Sequence, residues 1–318
     1  MSDGPRTLRI GTRGSALAMV QTRLVEGLLR DRGHAVEVAT ITTQGDVRTD
    51  VPLSVLGGRG VFVAELEQAL RDGRVDVAVH SAKDLPSTTA PDLVLAAFLP
   101  REDPRDVVVT RDGAPLDALP HGAVIGTSSP RRACQLRALR PDLVLRDIRG
   151  NVDTRLRKLD AGDYDAIVLA AAGLRRLGLA GRITESLGPD RMLSAVGQGA
   201  IAVEVRGDDV DARAAVAALD DEPTRVAVTA ERAFLARLGA GCSAPTGALA
   251  TIAGGVLRLE GMIGSDDGTT VRAARDGRPQ DAASLGVAVA ESLLAAGGDA
   301  LLVAAGTRAA GASGAAAG

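Results

Sequence analysis

Short runs of β-branched residues alternate along the chain with stretches whose apolar residues recur at helical spacing. A strand pattern over Thr7–Thr12 leads into a helix pattern over Ala16–Asp31, where apolar residues follow one another at steps of three and four. Strand patterns over Ala35–Thr43 and Val75–His80 follow, with a helix pattern over Phe62–Arg71 between them. This alternation is typical of α/β proteins.

The same pattern continues to about residue 296. The further predicted strands are Asp106–Thr110, Ala123–Gly126, Leu143–Asp147, Asp165–Ala170, Ala195–Arg206, Gly247–Ile263 and Thr269–Arg275. The further predicted helices begin at Pro130 and at about Asp153, and then cover Asp211–Leu219, Pro223–Leu238 and Asp281–Ala296. No internal sequence repeat is visible. The Ala-, Gly- and Ser-rich residues 304–318 are expected to form a disordered tail.

Composition narrows the functional classes. The 318 residues suffice for two or three domains, and a net charge of −3 with four aromatic residues argues against nucleic-acid binding. No apolar run approaches the roughly 20 residues of a membrane span, and the first residues lack the pattern of a signal peptide. We therefore expect a cytoplasmic protein that binds neither nucleic acid nor membrane. Two cysteines and three histidines, not closely spaced, predict neither a disulfide framework nor a metal site.

Arginines cluster where strands run into helices. The segments 126–132, which contains Arg131 and Arg132, and 149–155, with an arginine at each end, both start at a predicted strand end. Backbone N–H groups and the positive end of the helix dipole favour an anion there, and guanidinium groups bind carboxylates or phosphates in pairs of hydrogen bonds. One such segment could simply carry solvated charges, whereas two at equivalent positions favour an anion site. Arg13 follows the first strand and is a third candidate.

Two further segments leave alternatives open. Lys83 and Asp84 follow the strand ending at His80, and they could form an exposed ion pair or belong to a site at the strand end. The chain has only two lysines against 35 arginines, which codon bias explains. Cys134 lies in a helix pattern and is interpreted as a buried thiol. Cys242 lies in a glycine-rich turn without a neighbouring cation, which favours covalent attachment over a nucleophilic role, with a structural cysteine as the alternative.

Taken together, these segments resemble the porphobilinogen deaminase family. The matching residues are 8–15, 79–86, 126–132, 149–155, 196–200 and Gly241-Cys242, which together span nearly the whole chain in the family's order. The resemblance implies α/β architecture with three domains: two lobes with mixed sheets, like periplasmic binding proteins, and a small C-terminal α/β domain. The implied boundaries are 1–99 with 198–217 for lobe 1, 100–197 for lobe 2 and 218–303 for the C-terminal domain.

The resemblance also implies an activity. Members of the family carry a dipyrromethane cofactor on a cysteine, here Cys242, through a thioether. They add four porphobilinogen molecules to it with loss of ammonia, and water then releases hydroxymethylbilane. By this resemblance Asp84 is the catalytic acid, which protonates the leaving amine and stabilises the resulting cation. The enzyme would act as a monomer, without a metal, on a small-molecule substrate.

The resemblance assigns binding roles residue by residue, because each pyrrole ring carries an acetate and a propionate. The implied cofactor-binding residues are Lys83, Ser129, Arg131, Arg132, Arg149, Gly150 and Arg155. The implied substrate-binding residues are Arg13, Ser15, Arg149, Arg155 and Arg176. Residues 44–60 are expected to form a lid, although Val55 and Arg59 depart from the family pattern. A non-enzymatic anion-binding protein and a metal-dependent lyase remain the rival hypotheses.

Overall fold

The computed structural model describes residues 6–43, 63–239 and 244–303. The chain divides into two compact units, residues 1–102 with 199–225 and residues 103–198 with 226–318. The predicted lid, the tail and Cys242 lie outside the described residues. The predicted boundaries of three domains stay a prediction.

The described residues form thirteen strands and eight α-helices. The strands are β1 (Leu8–Thr12), β2 (Val36–Thr40), β3 (Val77–Ser81), β4 (Leu93–Phe98), β5 (Asp106–Thr110), β6 (Val124–Gly126), β7 (Val144–Arg146), β8 (Ala166–Ala170), β9 (Glu185–Leu187), β10 (Ile201–Arg206), β11 (Thr246–Ala253), β12 (Val256–Gly264) and β13 (Thr270–Gly277). The helices are α1 (Ala16–Arg30), α2 (Ala64–Arg71), α3 (Pro130–Leu139), α4 (Val152–Asp160), α5 (Ala171–Arg176), α6 (Val210–Ala217), α7 (Glu222–Leu238) and α8 (Ala282–Leu293). Short 3₁₀ turns cover Ala82–Asp84, Leu116–Ala118, Ala180–Arg182 and Pro279–Asp281.

The first unit is built on a five-stranded mixed sheet with the order β2-β1-β3-β10-β4. Strands β1, β2 and β3 run parallel, while β10 is antiparallel to both of its neighbours. Ile10, Val79 and Val203 lie in one buried cluster with Leu29 of α1 and Val216 of α6. The amphipathic helices therefore cover the sheet with the apolar faces that their sequence pattern indicates.

The second unit contains another sheet of the same design, with the order β7-β6-β8-β5-β9. Three parallel strands again lie beside one strand that is antiparallel to both neighbours. The sequence shows no repeat, and yet both sheets have the same arrangement. The carboxyl ends of β6, β7 and β8 lie at one edge, which is where ligands bind in open α/β sheets.

A third sheet, antiparallel and in the order β11-β12-β13, also belongs to the second unit. Its helix-facing side packs on α7 and α8, where Phe234 and Val289 are fully buried with Ala248 and Leu259. Its other side contributes Leu249 and Met262 to a small cluster with Leu193. The third sheet is thus a layer that packs on helices with one face and on the segment before Ser194 with the other.

The predicted α/β class with two mixed-sheet lobes and a small C-terminal sheet-and-helix part is confirmed. Most predicted strands and helices are present, displaced by a few residues. Three elements were missed, namely β4, β9 and α5, which are short or lack a clear period. The predicted strand Ala195–Arg206 is too long, because only its second half, β10, is extended strand.

One helical stretch, Pro279–Val303, is long and apolar enough to cross a membrane by length and composition, with a hydropathy of 1.5. The sequence prediction that no such stretch exists was therefore too strict. Leu285, Val289 and Leu293 of this stretch are buried against the third sheet. Helices of soluble proteins pass the same length and composition criteria, and α8 buries one face against the third sheet.

Candidate functional site

In the first unit, the predicted site residues follow two strands that end side by side. Strands β1 and β3 are parallel, with Gly11 opposite Ala78. Arg13 and Ser15 follow β1, and Ser15 begins α1 by accepting a hydrogen bond from the N–H of Ala18 at 3.3 Å. The structure thus brings the Arg13 segment and the turn after β3 to the same edge of the first sheet.

Asp84 lies in the 3₁₀ turn that follows β3 directly. The turn is fixed at its base, because the N–H of Ala82 donates to the carbonyl of Ala200 at 3.0 Å and Ser81 exchanges hydrogen bonds with Gln21. Within the described part of the chain, the half-buried Asp84 carboxylate has no hydrogen bond and no ion pair. An ion pair with Lys83, the structural alternative, is therefore not formed, and the Asp84 carboxylate remains available for a ligand.

His80 sits below this turn. Its Nε2 lies 3.0 Å from Oε2 of Glu204 on β10, and both side chains are buried. A buried imidazole–carboxylate pair fixes the last residues of β3 to the neighbouring strand. This pair supports the turn from the interior of the sheet.

In the second unit, helix α3 begins as the sequence predicts. Ser129 is its N-cap, accepting from the N–H of Arg132 at 3.4 Å, and Pro130 occupies the first turn. A hydroxyl that accepts a hydrogen bond keeps its own hydrogen to donate. Ser129 can therefore cap the helix and donate to an anion at the same time.

Arg131 and Arg132 are both buried against one carboxylate, Asp106, at the start of β5. Arg131 donates from Nη1 at 2.6 Å, and Arg132 donates from Nε at 2.9 Å and from Nη2 at 2.7 Å. Gln198 adds a fourth donor at 3.0 Å. Burial alone would raise the pKa of Asp106, but the charges of Arg131 and Arg132 outweigh it and hold the pKa well below its usual range.

Arg131 has hydrogen-bond donors that the described residues do not use. Its Nη1 group is fully used by Asp106 and by the carbonyl of Leu193, at 2.6 Å each. Within the described residues, its Nε and Nη2 groups make no hydrogen bond. Three N–H donors of Arg131 are therefore left for a ligand.

Arg155 on α4 completes a cluster of positive charge. Its Nε donates to the carbonyl of Gly150 at 2.8 Å, and no carboxylate in the described residues is paired with it. Burial, together with repulsion from Arg132 and Arg149, lowers the pKa of Arg155 to about 10. Arg155 remains charged at neutral pH, so the cluster presents cations in excess.

Gly150 shapes the loop that leads into α4. It has a φ of +107°, and a Cβ at this position would lie 2.6 Å from Cγ2 of Thr154. Both the backbone conformation and the close approach of Thr154 require glycine. The second lysine, Lys158, donates to the carbonyl of Arg149 at 3.3 Å and so fixes the same loop.

Two residues that the sequence analysis singled out remain to be placed, Arg176 and Cys134. Arg176 is the last residue of α5, which follows β8 directly and starts at the same sheet edge as α3 and α4. Cys134 is buried as predicted, and burial raises the pKa of its thiol to about 11. Such a thiol is inert as a nucleophile.

Sequence reasoning missed Asp106. Its signal is a charged residue at the start of the otherwise apolar run Asp106–Thr110, which becomes a fully buried central strand. A buried carboxylate needs a cationic partner, and the two neighbouring arginines at a helix start were available for that role. The sequence therefore shows that Asp106 needs a cationic partner, but it does not show which arginines pair with it.

The fold and the site define an α/β protein with a pre-formed, arginine-rich site for carboxylate or phosphate groups. Residues 8–214 match the family model of the porphobilinogen deaminase dipyromethane cofactor binding domain, and residues 225–295 match that of the porphobilinogen deaminase C-terminal domain. The chain belongs to the porphobilinogen deaminase family, whose members are hydroxymethylbilane synthases, transferases of tetrapyrrole biosynthesis.

Relatives support this assignment over most of the chain. A porphobilinogen deaminase of Roseiflexus castenholzii is 59% identical over 298 residues, which are 93% of this chain and 98% of the relative. One of Acidothermus cellulolyticus is 53% identical over 300 residues, 93% of this chain and 91% of the relative. Among solved structures, the methionine-binding protein MetQ gives a TM-score of 0.45 at 13% identity, covering 68% of this chain and 90% of that one.

The residues present fit the cofactor that the matched domain binds. A dipyrromethane whose rings carry acid side chains needs cations, and Arg131 offers unused donors while Arg155 has no carboxylate partner in the described residues. Carboxylates paired with arginines at such a site form strong, charge-assisted hydrogen bonds. The excess of buried positive charge is thus the structural counterpart of a polyanionic group.

Proposed function

We propose that this chain condenses four porphobilinogen molecules, one after another, onto a covalently attached dipyrromethane, with loss of ammonia at each step and release of hydroxymethylbilane by water. The observation that carries the proposal is that the single Asp106 carboxylate is shared by Arg131 and Arg132, beside Arg155, which has no carboxylate partner in the described residues. A growing chain of pyrroles with acid side chains supplies the missing negative charge.

The cofactor would be held by the cluster and by neighbouring groups. In this proposal Arg131, Arg132, Arg149 and Arg155 bind its carboxylates, with Ser129 donating its hydroxyl hydrogen and Lys83 adding a cation. Gly150 allows the loop to approach closely, and Cys242 forms the thioether. When bound, the dipyrromethane supplies the carbon nucleophile to which the first substrate is joined.

Asp84 is the proposed catalytic acid. Because its carboxyl group has no partner among the described residues, the protonated acid can give its proton to the amine as the C–N bond breaks, and the carboxylate that is left then faces the cation on the substrate. A carboxylate about 4 Å from such a cation stabilises it by about 4 kcal/mol at an effective dielectric constant near 20. That energy corresponds to roughly a thousandfold in rate.

Arg13, Ser15 and Arg176, together with Arg149 and Arg155, are the proposed substrate-binding residues. Arg13 and Ser15 follow β1 at the edge to which the Asp84 turn also belongs. A guanidinium at that edge would orient the acid groups of porphobilinogen and so place its amine for proton transfer. A cytoplasmic location and a monomeric state remain predictions for this chain.

Intact mass under denaturing conditions tests the proposal. The purified chain should carry a mass excess of two pyrrole units, and Cys242→Ser should lose it. Cys134→Ala is the matched control, because the other cysteine is buried and should leave the excess unchanged. Absence of the excess in protein from cells that make porphobilinogen would overturn the proposal in favour of an anion-binding protein without this chemistry.

A further inference from the structure

Gln135 on α3 is buried, and both the nitrogen and the oxygen of its side-chain amide form hydrogen bonds. Its Nε2 donates to the carbonyl of Leu193 at 3.1 Å and to the carbonyl of Arg131 at 3.2 Å. Its Oε1 accepts from the N–H of Leu193 at 2.7 Å. One side-chain amide thus satisfies both backbone groups of Leu193, as a paired strand would.

The carbonyl of Leu193 is also the acceptor that fixes Arg131. Nη1 of Arg131 donates to it at 2.6 Å, and the same group donates to Asp106. Gln135 therefore sets the position of the atom that orients the Arg131 guanidinium. Among the described residues, Gln135 makes no hydrogen bond with Asp106 or with the guanidinium group of Arg131.

Arg272, on strand β13 of the third sheet, extends this arrangement. Its Nη2 donates to Oε1 of Gln135 at 2.9 Å. Its Nη1 donates to the carbonyls of Pro189 and Asp190 at 3.1 Å each, just before Leu193. Arg272 thus binds both the amide that holds Leu193 and the segment that leads into it.

The third sheet also approaches Arg131 directly. A Cβ at Gly247 on β11 would lie 3.2 Å from Cδ of Arg131 and 2.9 Å from the carbonyl of Ser194. The N–H of Ala248 donates to that same carbonyl at 3.0 Å. There is no room for a side chain between Gly247 and Arg131, so a shift of this part of the third sheet would displace Arg131.

We propose that Gln135 and Arg272 are positioning residues: a chain of hydrogen bonds from Arg272 through Gln135 and Leu193 orients the free donors of Arg131 for the cofactor's carboxylates. Because the third sheet begins shortly after Cys242, this chain links the element next to the attachment cysteine with the arginines that hold the same group. The inference rests on the proposed function and adds to it two residues that touch neither cofactor nor substrate.

The experiment measures cofactor loading instead of turnover. Cofactor-free protein is made in cells that cannot synthesise porphobilinogen, porphobilinogen is then added, and the gain of two pyrrole units is followed by denaturing mass spectrometry. Arg272→Met removes the hydrogen bond to Gln135 along with those to the carbonyls of Pro189 and Asp190 and the ion pair with Glu260, so it should load at least about fivefold more slowly, the size expected for a single lost hydrogen bond, and Gln135→Leu should load at least as slowly. The control is Arg258→Met, which removes an exposed ion pair with Asp276 on the same sheet and should load at the unmodified rate.

A double variant separates positioning from general weakening. Two members of one hydrogen-bonded chain are coupled, so Gln135→Leu with Arg272→Met should load no more than about twofold more slowly than the slower single variant. Gln135→Glu is a variant of the same shape, in which an oxygen replaces the donor that faces the carbonyls of Leu193 and Arg131. It should also slow loading, and it decides the matter where the leucine variant does not fold.

The outcomes are distinct. Single variants that load at the rate of Arg258→Met, or a double variant whose slowing is the product of the two single effects, would overturn the positioning role. Failure of the unmodified protein to gain mass from porphobilinogen would instead overturn the proposed function itself.

Discussion

The Asp106 carboxylate and the Arg132 guanidinium are joined by two hydrogen bonds, at 2.9 and 2.7 Å, and both side chains are buried. Arg131 shares the same carboxylate, so one negative charge serves two positive ones. Burying ions is costly, and this arrangement compensates only part of the charge. A carboxylate ligand would compensate the remaining positive charge when it binds.

Asp106→Asn should destabilise the cofactor-free protein by about 3–5 kcal/mol, because it leaves two buried guanidinium groups without a counter-charge. Urea denaturation followed by circular dichroism measures the change. The matched control is Asp276→Asn, whose carboxylate forms an exposed pair with Arg258 and should matter by less than about 1 kcal/mol. Equal effects of the two substitutions would contradict the structural role of Asp106.

Arg155→Met should leave the thermal midpoint of the cofactor-free protein nearly unchanged while strongly reducing cofactor loading. The reason is that Arg155 has a lowered pKa from burial and, in the described residues, no carboxylate partner, so its charge contributes little to folding. Thermal unfolding and intact mass report the two quantities. Arg157→Met, on the exposed face of the same helix, should change neither. A large loss of stability with normal loading would reverse the assignment of Arg155.

Asp84→Asn should lower the turnover number at least about a thousandfold, and Asp84→Glu should be less harmed because it keeps the negative charge. Steady-state rates of porphobilinogen consumption by cofactor-loaded protein provide the measurement. Nearly equal rates for the two variants would rule out the electrostatic role of Asp84 in stabilising the cation.

Acid should destabilise the first unit through Asp76, which is buried and accepts hydrogen bonds from Arg9 and Arg206. Burial alone would raise its pKa, but these bonds outweigh burial and lower the pKa to about 2. A carboxyl group with a lowered pKa stabilises the fold above its unfolded pKa, and this contribution is lost as the pH falls from about 4 to 2. Unfolding midpoints across that range should fall steeply, and in Asp76→Asn they should start lower and change less. An unchanged slope in the variant would assign the acid sensitivity to other groups.

Gly150→Ala should weaken cofactor loading more than Gly178→Ala does. Both glycines have a positive φ, but only at Gly150 does a Cβ meet a close neighbour, Thr154, while at Gly178 it meets open space. The substitution at Gly150 must therefore move the loop that carries Arg149. Loading rates by intact mass, with thermal midpoints beside them, distinguish the two; equal loading in both variants would contradict a role for the loop geometry.

The pattern of apolar residues determined most of the fold locally. Pro130 marked the start of α3, because the preference of proline for a first helical position depends on the local chain alone. The local pattern also placed arginines at the ends of strands, since a strand-to-helix junction is visible in a single window of sequence. Short strands such as β9 were not predicted, because three residues are too few to show an alternating pattern.

Only the tertiary structure decided what each arginine does. Arg131 and Arg132 look alike in sequence, but within the described residues Arg131 leaves Nε and Nη2 unused, whereas every nitrogen of Arg132 donates to Asp106 or to the carbonyl of Val168 and one N–H remains on each of Nη1 and Nη2. Their partner is 25 residues away from Arg131 and reaches it through the order of strands in the second sheet. Hydrogen bonds between residues distant in sequence depend on that order and on burial, which no local pattern encodes. The sequence by itself therefore determined the elements and the charge of the site, and packing determined which of those charges remain available to a ligand.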